Sequence, residues 1–299
     1  MILRGRDEIA LNGRLMIHAA TRPNDRAQRN AGHPATRCPW SARCCSAFRR
    51  HSPSRQCRSS RRTGIRHQDT RPAARSAVAI QSPFGVCQEA PEGPAGIEIF
   101  KEIKNPNYIG VQAGLTQTTD WLDAWTFRPS VYAVAAETTP DVVAAVNFAR
   151  THDLRLVAKD GGRSYLGRSN APDSLLIWTR HMNNVVSHDA FIAQGCAGQP
   201  ERQPAVTIGA ETIWGHAYNE VTTKGGHYVQ GGGCLTVGVA GLVQAGGFGS
   251  FSKRFRTAAT NLLEAEVVTA DGAVRIANAC TNPNLFWGIK GGGGAALPL

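Results

Sequence analysis

Two glycine clusters constrain this chain more than any other feature of its sequence. The first is residues 160–167 (DGGRSYLG), and the second is residues 231–249 (GGGCLTVGVAGLVQAGGFG). Glycine reaches conformations with positive φ and lets backbone N–H groups approach a bound group closely. A pyrophosphate needs several such N–H groups aimed at one place. Two loops of this kind from adjacent lobes predict a dinucleotide site built from backbone rather than from basic side chains.

Other nucleotide-binding motifs do not fit these clusters. Neither cluster gives the G-x-G-x-x-G pattern of a nicotinamide Rossmann domain, and neither gives the Lys-Ser/Thr ending of a P-loop. On composition alone, the two clusters are equally compatible with ordinary tight turns. Their surroundings therefore have to decide between these two interpretations.

The first cluster follows a predicted strand–helix–strand unit. Residues 131–137 alternate as a strand does, and residues 154–158 form a second apolar strand that runs into Asp160. Between them, Thr139 is a candidate N-cap, with Pro140 and Asp141 suited to a first helical turn. Residues 174–178 (SLLIW) predict a third strand. The glycine turn thus lies at the end of a strand.

A second unit of mixed structure surrounds the second cluster. We predict a strand at 205–209, a helix at 213–223, and a hairpin at 263–277 that turns at Asp271-Gly272. A short helix follows at 282–290. Together the two units predict an α+β fold of two subdomains that share a glycine-rich seam.

The basic charge of the chain is concentrated at its start. The formal net charge is +11, but residues 1–80 alone hold 17 Arg, no Lys and four acidic residues, for a net charge of +13. The remainder is close to neutral at −2, so we expect no nucleic-acid partner. Residues 1–95 lack helical or strand periodicity, and we expect them to be disordered. Three interpretations remain for this leader: a nucleic-acid-binding arm, a transit-type peptide, or a mistranslated start without a function.

The cysteines and the apolar segments give few indications of a compartment. Eight cysteines are present, without CxxC pairs or a Cys/His zinc pattern, so no metal site is expected. Cys196 and Cys280 could pair in an oxidising compartment. No apolar run approaches the ~20 residues that span a bilayer, and no export signal is recognisable. We therefore expect no membrane partner and, by default, a cytoplasmic location.

Five motifs in order identify the family that the chain resembles. They are GGxSYxG, SLLIW, GGGCxTVGVAGLxxxGGFG, LEAEVVTADG and NxxLFWxxKGGGG, and they cover roughly residues 100–294. The set resembles the FAD domain of the berberine-bridge-enzyme-like oxidases, which share the vanillyl-alcohol-oxidase fold and its PCMH-type FAD-binding domain. The resemblance implies a leader at 1–95, a family-like segment at 96–125, and an FAD-binding domain at 126–299. It also implies that this domain is incomplete at its C-terminus and that the C-terminal substrate domain is missing.

The resemblance further implies a cofactor, a reaction and a set of contacts. FAD would lie between the two subdomains and accept a hydride at flavin N5 from a small hydroxylated or amine substrate, with oxygen as the acceptor. The family's catalytic base lies in the missing domain, so no catalytic residue is assigned. The alternative is a non-catalytic remnant with impaired FAD binding. The implied FAD contacts are Asp160, Gly161, Gly162, Arg163, Ser164, Tyr165, Gly167, Gly231, Gly232, Gly233, Cys234, Thr236, Val237, Gly238, Gly241, Gly246, Gly247 and Val267.

Three positions carry most of the comparison with the family pattern. Cys234 occupies the position of the cysteine that links to flavin C6. Arg163 occupies the position of the histidine that links to the 8α-methyl, and a guanidinium cannot act as that nucleophile. Arg163 is therefore either a partner for the pyrophosphate or a damaging substitution. Arg256 replaces a glycine, so a positive φ there would strain the backbone. His216 and His227 are expected to be ordinary surface residues of a helix or strand.

Overall fold

The computed structural model describes residues 2–3, 11–21, 77–80, 85–117, 126–196, 198 and 202–292, which are arranged around two β-sheets. These residues belong to one unit, formed by Met1–Arg22 and Ala73–Leu299. The second unit, Pro23–Pro72, lies outside the described residues.

The first sheet carries the first glycine cluster. Its five strands lie in the order β1, β5, β6, β4, β3. The three central strands are parallel, and the two outer ones pair antiparallel. The strands β4, β5 and β6 confirm the three strands predicted from the sequence. The strand bounds are β1 Ile2–Leu3, β3 Val78–Ala79, β4 Tyr132–Ala135, β5 Arg155–Lys159 and β6 Ser174–Trp178.

Helix α4, Thr139–Thr151, covers one face of this sheet. The sequence placed its N-cap at Thr139, but the cap is Thr138, one residue earlier. The backbone N–H of Thr138 donates to Asp141 Oδ2 at 2.9 Å, and its hydroxyl donates to the same oxygen at 2.8 Å. Val142, Ala145, Val146 and Ala149 are buried and pack with Leu156, Leu175 and Ile177 of the sheet.

The second sheet carries the second glycine cluster. Its strands lie in the order β11, β10, β2, β8, β7, and β9 pairs with the far end of β2. All these pairings are antiparallel. The predicted hairpin is confirmed, with Gly272 at φ 80° in its turn. The strand bounds are β2 Leu11–Thr21, β7 Val185–Phe191, β8 Gln203–Gly209, β9 His227–Val229, β10 Leu262–Val268 and β11 Val274–Asn278.

Strand β2 departs from the disorder expected over residues 1–95. It forms the centre of the second sheet, and Leu15, Ile17 and Ala19 on one face are almost completely buried. Its apolar alternation is short, and its partners lie about 190 or more residues away in the chain. Local composition therefore concealed it. A helix also begins at Pro94, before residue 96, while most of the leader lies outside the described residues.

Short helices connect the strands. The helix predicted at 213–223 is confirmed in extent, although its second half, Asn219–Lys224, is π-helical. The predicted terminal helix is also confirmed. These two helices are α5 Trp214–Tyr218, which continues into the π-helical segment, and α8 Pro283–Ile289. The other helices besides α4 are α1 Gly85–Glu89, α2 Pro94–Glu102, α3 Pro106–Gly110, α6 Val239–Gln244 and α7 Ser252–Phe255.

Two further features concern the cysteines and the bilayer. Cys196, after β7, and Cys280, after β11, form a disulfide with a Cα–Cα distance of 5.4 Å, the pairing that the sequence left open. Across the described ranges, no helix has both the length and the apolar character that crossing a bilayer requires.

Candidate functional site

The first glycine loop leaves the end of β5 as a tight backbone turn. Gly162 has φ 70° and Gly167 has φ 66°, conformations that glycine adopts at little cost. The hydroxyl oxygen of Ser164 accepts from the backbone N–H groups of Leu166 and Arg168, at 3.4 Å each. Tyr165 is more than half exposed. The loop is thus shaped by its own backbone and presents an open surface.

The second glycine loop runs from β9 to α6. A Cβ at Gly231 would collide with the ring of Trp214, a fully buried residue of the core. Trp214 and Gly215 donate their backbone N–H groups to Val237 O at 2.9 Å and Leu235 O at 2.8 Å. Because Gly231 packs against Trp214 and these two hydrogen bonds hold the loop to α5, contacts with α5 fix the conformation of the second glycine loop.

The two loops lie directly against each other. A Cβ at Gly161 would lie 2.9 Å from Thr236 O and 3.2 Å from Gly238 N. The Arg163 guanidinium reaches across, with Nη2 3.7 Å from Cys234 Sγ and Nη1 3.5 Å from Thr236 Oγ1. The structure therefore brings the first cluster and the start of the second cluster together.

Gln117 joins the two loops and was missed from the sequence. Its backbone N–H donates to Gly162 O at 2.8 Å, and its side-chain Nε2 donates to Gly161 O. The same Nε2 donates to Thr236 O at 3.0 Å, and the Thr236 hydroxyl donates back to Gln117 Oε1 at 2.7 Å. A single amide thus fixes the distance between the loops.

Lys159, also missed, anchors the segment that carries Gln117. This last residue of β5 is 3% exposed, and its Nζ donates to Gln112 O and Leu115 O at 3.0 Å each and to Ala113 O. Burial lowers the pKa of Lys159 to about 7, opposed by the negative charges of Glu211 and Asp160. The run of apolar residues before it gave no sign that this lysine points inward.

Asp160 occupies the inner side of the loop junction. Its Oδ2 accepts from the Gly241 N–H at 3.3 Å, and its carboxyl also accepts from the N–H groups of Gly161 and Gly162. A Cβ at Gly238 would collide with this carboxyl, so the glycine makes room for it. Desolvation raises the pKa of Asp160, and the three backbone hydrogen bonds oppose that rise. The backbone N–H groups of Gly161, Gly162 and Gly241, which the sequence predicted to bind a pyrophosphate, therefore already donate to the Asp160 carboxyl.

Glu211 lies below the same junction and is fully buried. Its Oε2 is 3.1 Å from the Thr179 hydroxyl, and its Oε1 is 3.8 Å from Arg180 Nη1. Burial raises the pKa of Glu211 well above its ordinary value, and the nearby Asp160 carboxyl raises it further. The Thr179 hydroxyl also lies 3.2 Å from Lys159 O. The Thr179 hydroxyl thus lies between the buried Glu211 carboxyl and the end of β5.

The other expected contacts divide into two groups. Gly246 and Gly247, at φ 96° and 67°, form the turn after α6, and Gly249 packs closely on Gly231 O, so this turn supports the second loop. Gly232 packs against Leu242, while a Cβ at Gly233 would meet no atom within 4 Å. Val267, in contrast, is fully buried in the core of the second sheet on β10. The structure places its side chain in that core rather than on the loops.

Arg256 behaves as the sequence suggested, whereas the two histidines are partly buried rather than surface residues, and His227 Nδ1 is buried without a hydrogen-bond partner among the described residues. Arg256 has φ 63° and ψ −158°, so the condition for backbone strain is met. His216 lies on α5 with Nε2 3.7 Å from Glu220 Oε1, and His227 begins β9.

The junction offers groups suited to an anionic dinucleotide. Arg163 Nε is buried and has no hydrogen-bond partner among the described residues, while its Nη atoms face Cys234 and Thr236. Cys234 is an exposed free thiol beside it. One guanidinium and one accessible sulfur at a single glycine-lined junction fit a diphosphate that carries an aromatic ring system.

Comparisons with known proteins agree with this arrangement. Residues 130–278 match the family model of the FAD binding domain. The FAD-linked oxidoreductase easE of Arthroderma benhamiae is 43% identical over 172 residues, which are 57% of this chain and 34% of that protein. The FAD-linked oxidoreductase malF of Malbranchea aurantiaca is 43% identical over 174 residues, 57% of this chain and 29% of that protein. The chain thus spans about a third of the length of these curated relatives.

Two solved structures share the fold. The VAO-type flavoprotein MtVAO615 from Myceliophthora thermophila C1 has a TM-score of 0.64 at 28% identity, covering 74% of this chain and 43% of that chain. MtVAO713 from the same organism has a TM-score of 0.62 at 26% identity, covering 72% and 41%. The fold and its paired glycine loops define an FAD-binding domain of the vanillyl-alcohol-oxidase type. Residues 130–278 belong to the FAD binding domain family, and the chain is similar to part of the FAD-linked oxidoreductases.

Proposed function

We propose that the chain holds FAD at the junction of its two glycine loops and serves the oxidation of a small hydroxylated or amine substrate. When bound, FAD would supply a hydride acceptor at flavin N5, and oxygen would be the final electron acceptor. The observation that carries this proposal is the contact between the loops, in which Arg163 Nη2 lies 3.7 Å from Cys234 Sγ and Gln117 bridges Gly161 to Thr236.

Each residue at the junction has a proposed part in binding. Arg163 binds the diphosphate, because charge-assisted hydrogen bonds to phosphate are the strongest available there. The N–H groups of Gly161 and Gly162, which donate to the Asp160 carboxyl, hold the first loop in shape. Gln117 and Lys159 position the loops without contacting the cofactor. Gly238 and Gly241 allow the second loop to approach. Val267 is proposed only as a core residue beneath the site.

Cys234 is the proposed point of covalent attachment. Its thiolate Sγ would add to C6 of the oxidised flavin to form a thioether, the C6 hydrogen would leave as a proton, and the flavin ring would take up the electron pair that oxygen later removes. The Cys234 thiol is exposed and free, and the guanidinium of Arg163 lies beside it. The thiolate is the reactive form of a cysteine side chain. Arg163 cannot form the second, 8α link, so we expect one attachment at most.

The division of the chain is also a proposal. Residues 1–95 would be a leader that contributes β1, β2, β3 and α1 to the fold. Residues 96–125 would be a segment that braces the loops through Gln117, and residues 126–299 would be the FAD-binding domain. Lys159 supports the second assignment because it holds the carbonyl groups of Gln112 and Leu115. Substrate and acceptor belong to the whole relatives and are carried over here only as expectations.

The test uses the full chain, purified and incubated with FAD. We expect the visible absorption bands of flavin to remain after desalting, and yellow colour to stay with the protein after acid precipitation. Cys234→Ala should still bind FAD but release it into the acid supernatant, whereas Cys87→Ser, a change at the other described free cysteine, should behave as the unchanged chain.

Two outcomes would count against different parts of the proposal. Colour released by acid from the unchanged chain would remove the thioether and leave the binding site. Absence of flavin bands in the unchanged chain and in both variants would remove the FAD site itself.

A further inference from the structure

The second sheet depends on one strand from far outside the FAD binding domain. Within the described residues, β7 and β8 form one pair of strands, and β10 and β11 form another. Strand β2 alone lies between the two pairs and joins β8 to β10. Leu15 pairs with both Ile208 and Ala265, and Ile17 pairs with Val206 and Leu262. Without β2 the sheet would separate into two hairpins, each with an unpaired inner edge.

The side chains of β2 fill the gap on both faces. Leu15, Ile17 and Ala19 belong to the core that includes Trp214 and Val267. On the opposite face, Arg14 Nη2 lies 3.1 Å from Glu266 Oε2. Glu266 also accepts from the Thr139 hydroxyl at 2.6 Å, at the start of α4. Because a shift of one residue would exchange the two faces, this pattern specifies a single register.

The end of β2 also reaches the second glycine loop. Ala19 pairs with Val229 and Ala20 pairs with Tyr228 of β9, the strand that leads directly to Gly231. Among the described residues, the next strand after β2 begins at Val78, and β2 pairs with strands near residues 205 and 265, so it does not join the sheet through a local hairpin.

We propose that the gap between β8 and β10 is a strand-binding groove, and that Leu11–Thr21 of the same chain is its donor strand. The groove takes an extended peptide of about eleven residues with apolar side chains at its fifth, seventh and ninth positions, which are Leu15, Ile17 and Ala19 in this chain. Backbone hydrogen bonds to two neighbours supply the attachment, and the buried pockets for Leu15 and Ile17 supply the selectivity. The occupied groove positions β9 and thereby the second glycine loop.

The first experiment measures amide hydrogen exchange in the full chain. In Ile17→Asp, a charge replaces a buried side chain, so β2 leaves and the amides of β8 and β10 exchange at least about 100-fold faster. A synthetic peptide of residues 11–21 added in excess should restore protection, and the same peptide with Ile17→Asp should not. Arg14→Ser, on the exposed face, is the matched control and should change exchange in β8 by less than about tenfold.

The second experiment remains informative if Ile17→Asp does not fold. Met16 lies directly opposite Thr207, whereas Ala205 is offset by two residues, beyond disulfide reach. Met16→Cys with Thr207→Cys should therefore form an intrachain disulfide under mild oxidation, and Met16→Cys with Ala205→Cys should not. Unchanged exchange in Ile17→Asp, equal cross-linking by both pairs, or cross-links found only between two chains would each overturn the proposal. None of these readouts depends on FAD.

Discussion

Replacing Arg256 by glycine should stabilise the folded chain. Arg256 ends α7 with φ 63° and ψ −158°, a region that residues with a Cβ enter at a cost of about 1–3 kcal/mol. Glycine removes that cost but gives the unfolded chain more freedom, which offsets about 0.5–1 kcal/mol. The net gain is about 1 kcal/mol in the free energy of unfolding. For a chain of this size, that corresponds to a rise in Tm of roughly 2–4 °C.

The assay is urea unfolding followed by tryptophan fluorescence, with two controls. Arg256→Ala removes the guanidinium but keeps Cβ, so it should leave the midpoint nearly unchanged. Asp153→Gly changes a residue at φ 49°, where Asp is tolerated, and its gain should stay below about 0.5 kcal/mol. An equal gain from Arg256→Ala, or no gain from Arg256→Gly, would refute backbone strain as the cause.

Three further predictions concern charge and the disulfide. The pKa of Lys159 is about 7 in the folded chain and 10.5 in the unfolded chain, so between these pH values only the unfolded chain binds the proton. The free energy of unfolding should therefore rise with pH across that range, by up to about 1.4 kcal/mol per pH unit. Lys159→Met should flatten this slope in unfolding titrations. Asp160→Asn keeps an acceptor for the Gly241 N–H but removes the negative charge. In a fluorescence titration, the variant should bind FAD at least about tenfold more tightly than the unchanged chain above the raised pKa of Asp160, and about equally below it. Equal affinities of the variant and the unchanged chain at both pH values would contradict this. Cys280→Ser opens the disulfide across a separation of 84 residues and should lower the free energy of unfolding by about 2–4 kcal/mol, matched by dithiothreitol on the unchanged chain.

Local patterns gave most of the first sheet and the hairpin. The strand at 174–178 and the turn at Asp271-Gly272 carry their own information, because alternation and turn chemistry act over a few residues. The cap of α4 was placed one residue late, since two threonines stand side by side and only the Asp141 side chain, which bonds Thr138, decides between them.

Contacts between distant segments could not be read from the sequence. Strand β2 looks like part of an arginine-rich leader until β8 and β10 supply its two partners. Gln117 and Lys159 similarly form the hydrogen bonds that position the loops only when residues 112–117 fold against the first loop.

The candidate site was found through its glycines and corrected by its side chains. The two loops meet as their motifs predict, with Arg163 beside Cys234. The sequence could not show that the Asp160 carboxyl occupies the loop amides, or that Val267 lies in the core. Both depend on which way a side chain points, and a motif does not carry that information.

Titration of the full chain with FAD, followed by quenching of flavin fluorescence, tests the central claim most directly. We predict saturation at about one FAD per chain. Arg163→Glu, which replaces the guanidinium at the loop junction by a carboxylate, should weaken binding at least about tenfold. Lys253→Glu, an equal change of charge on the exposed surface of α7, should have little effect. Quenching that never saturates, or equal weakening by both variants, would contradict a site at the junction of the two glycine loops.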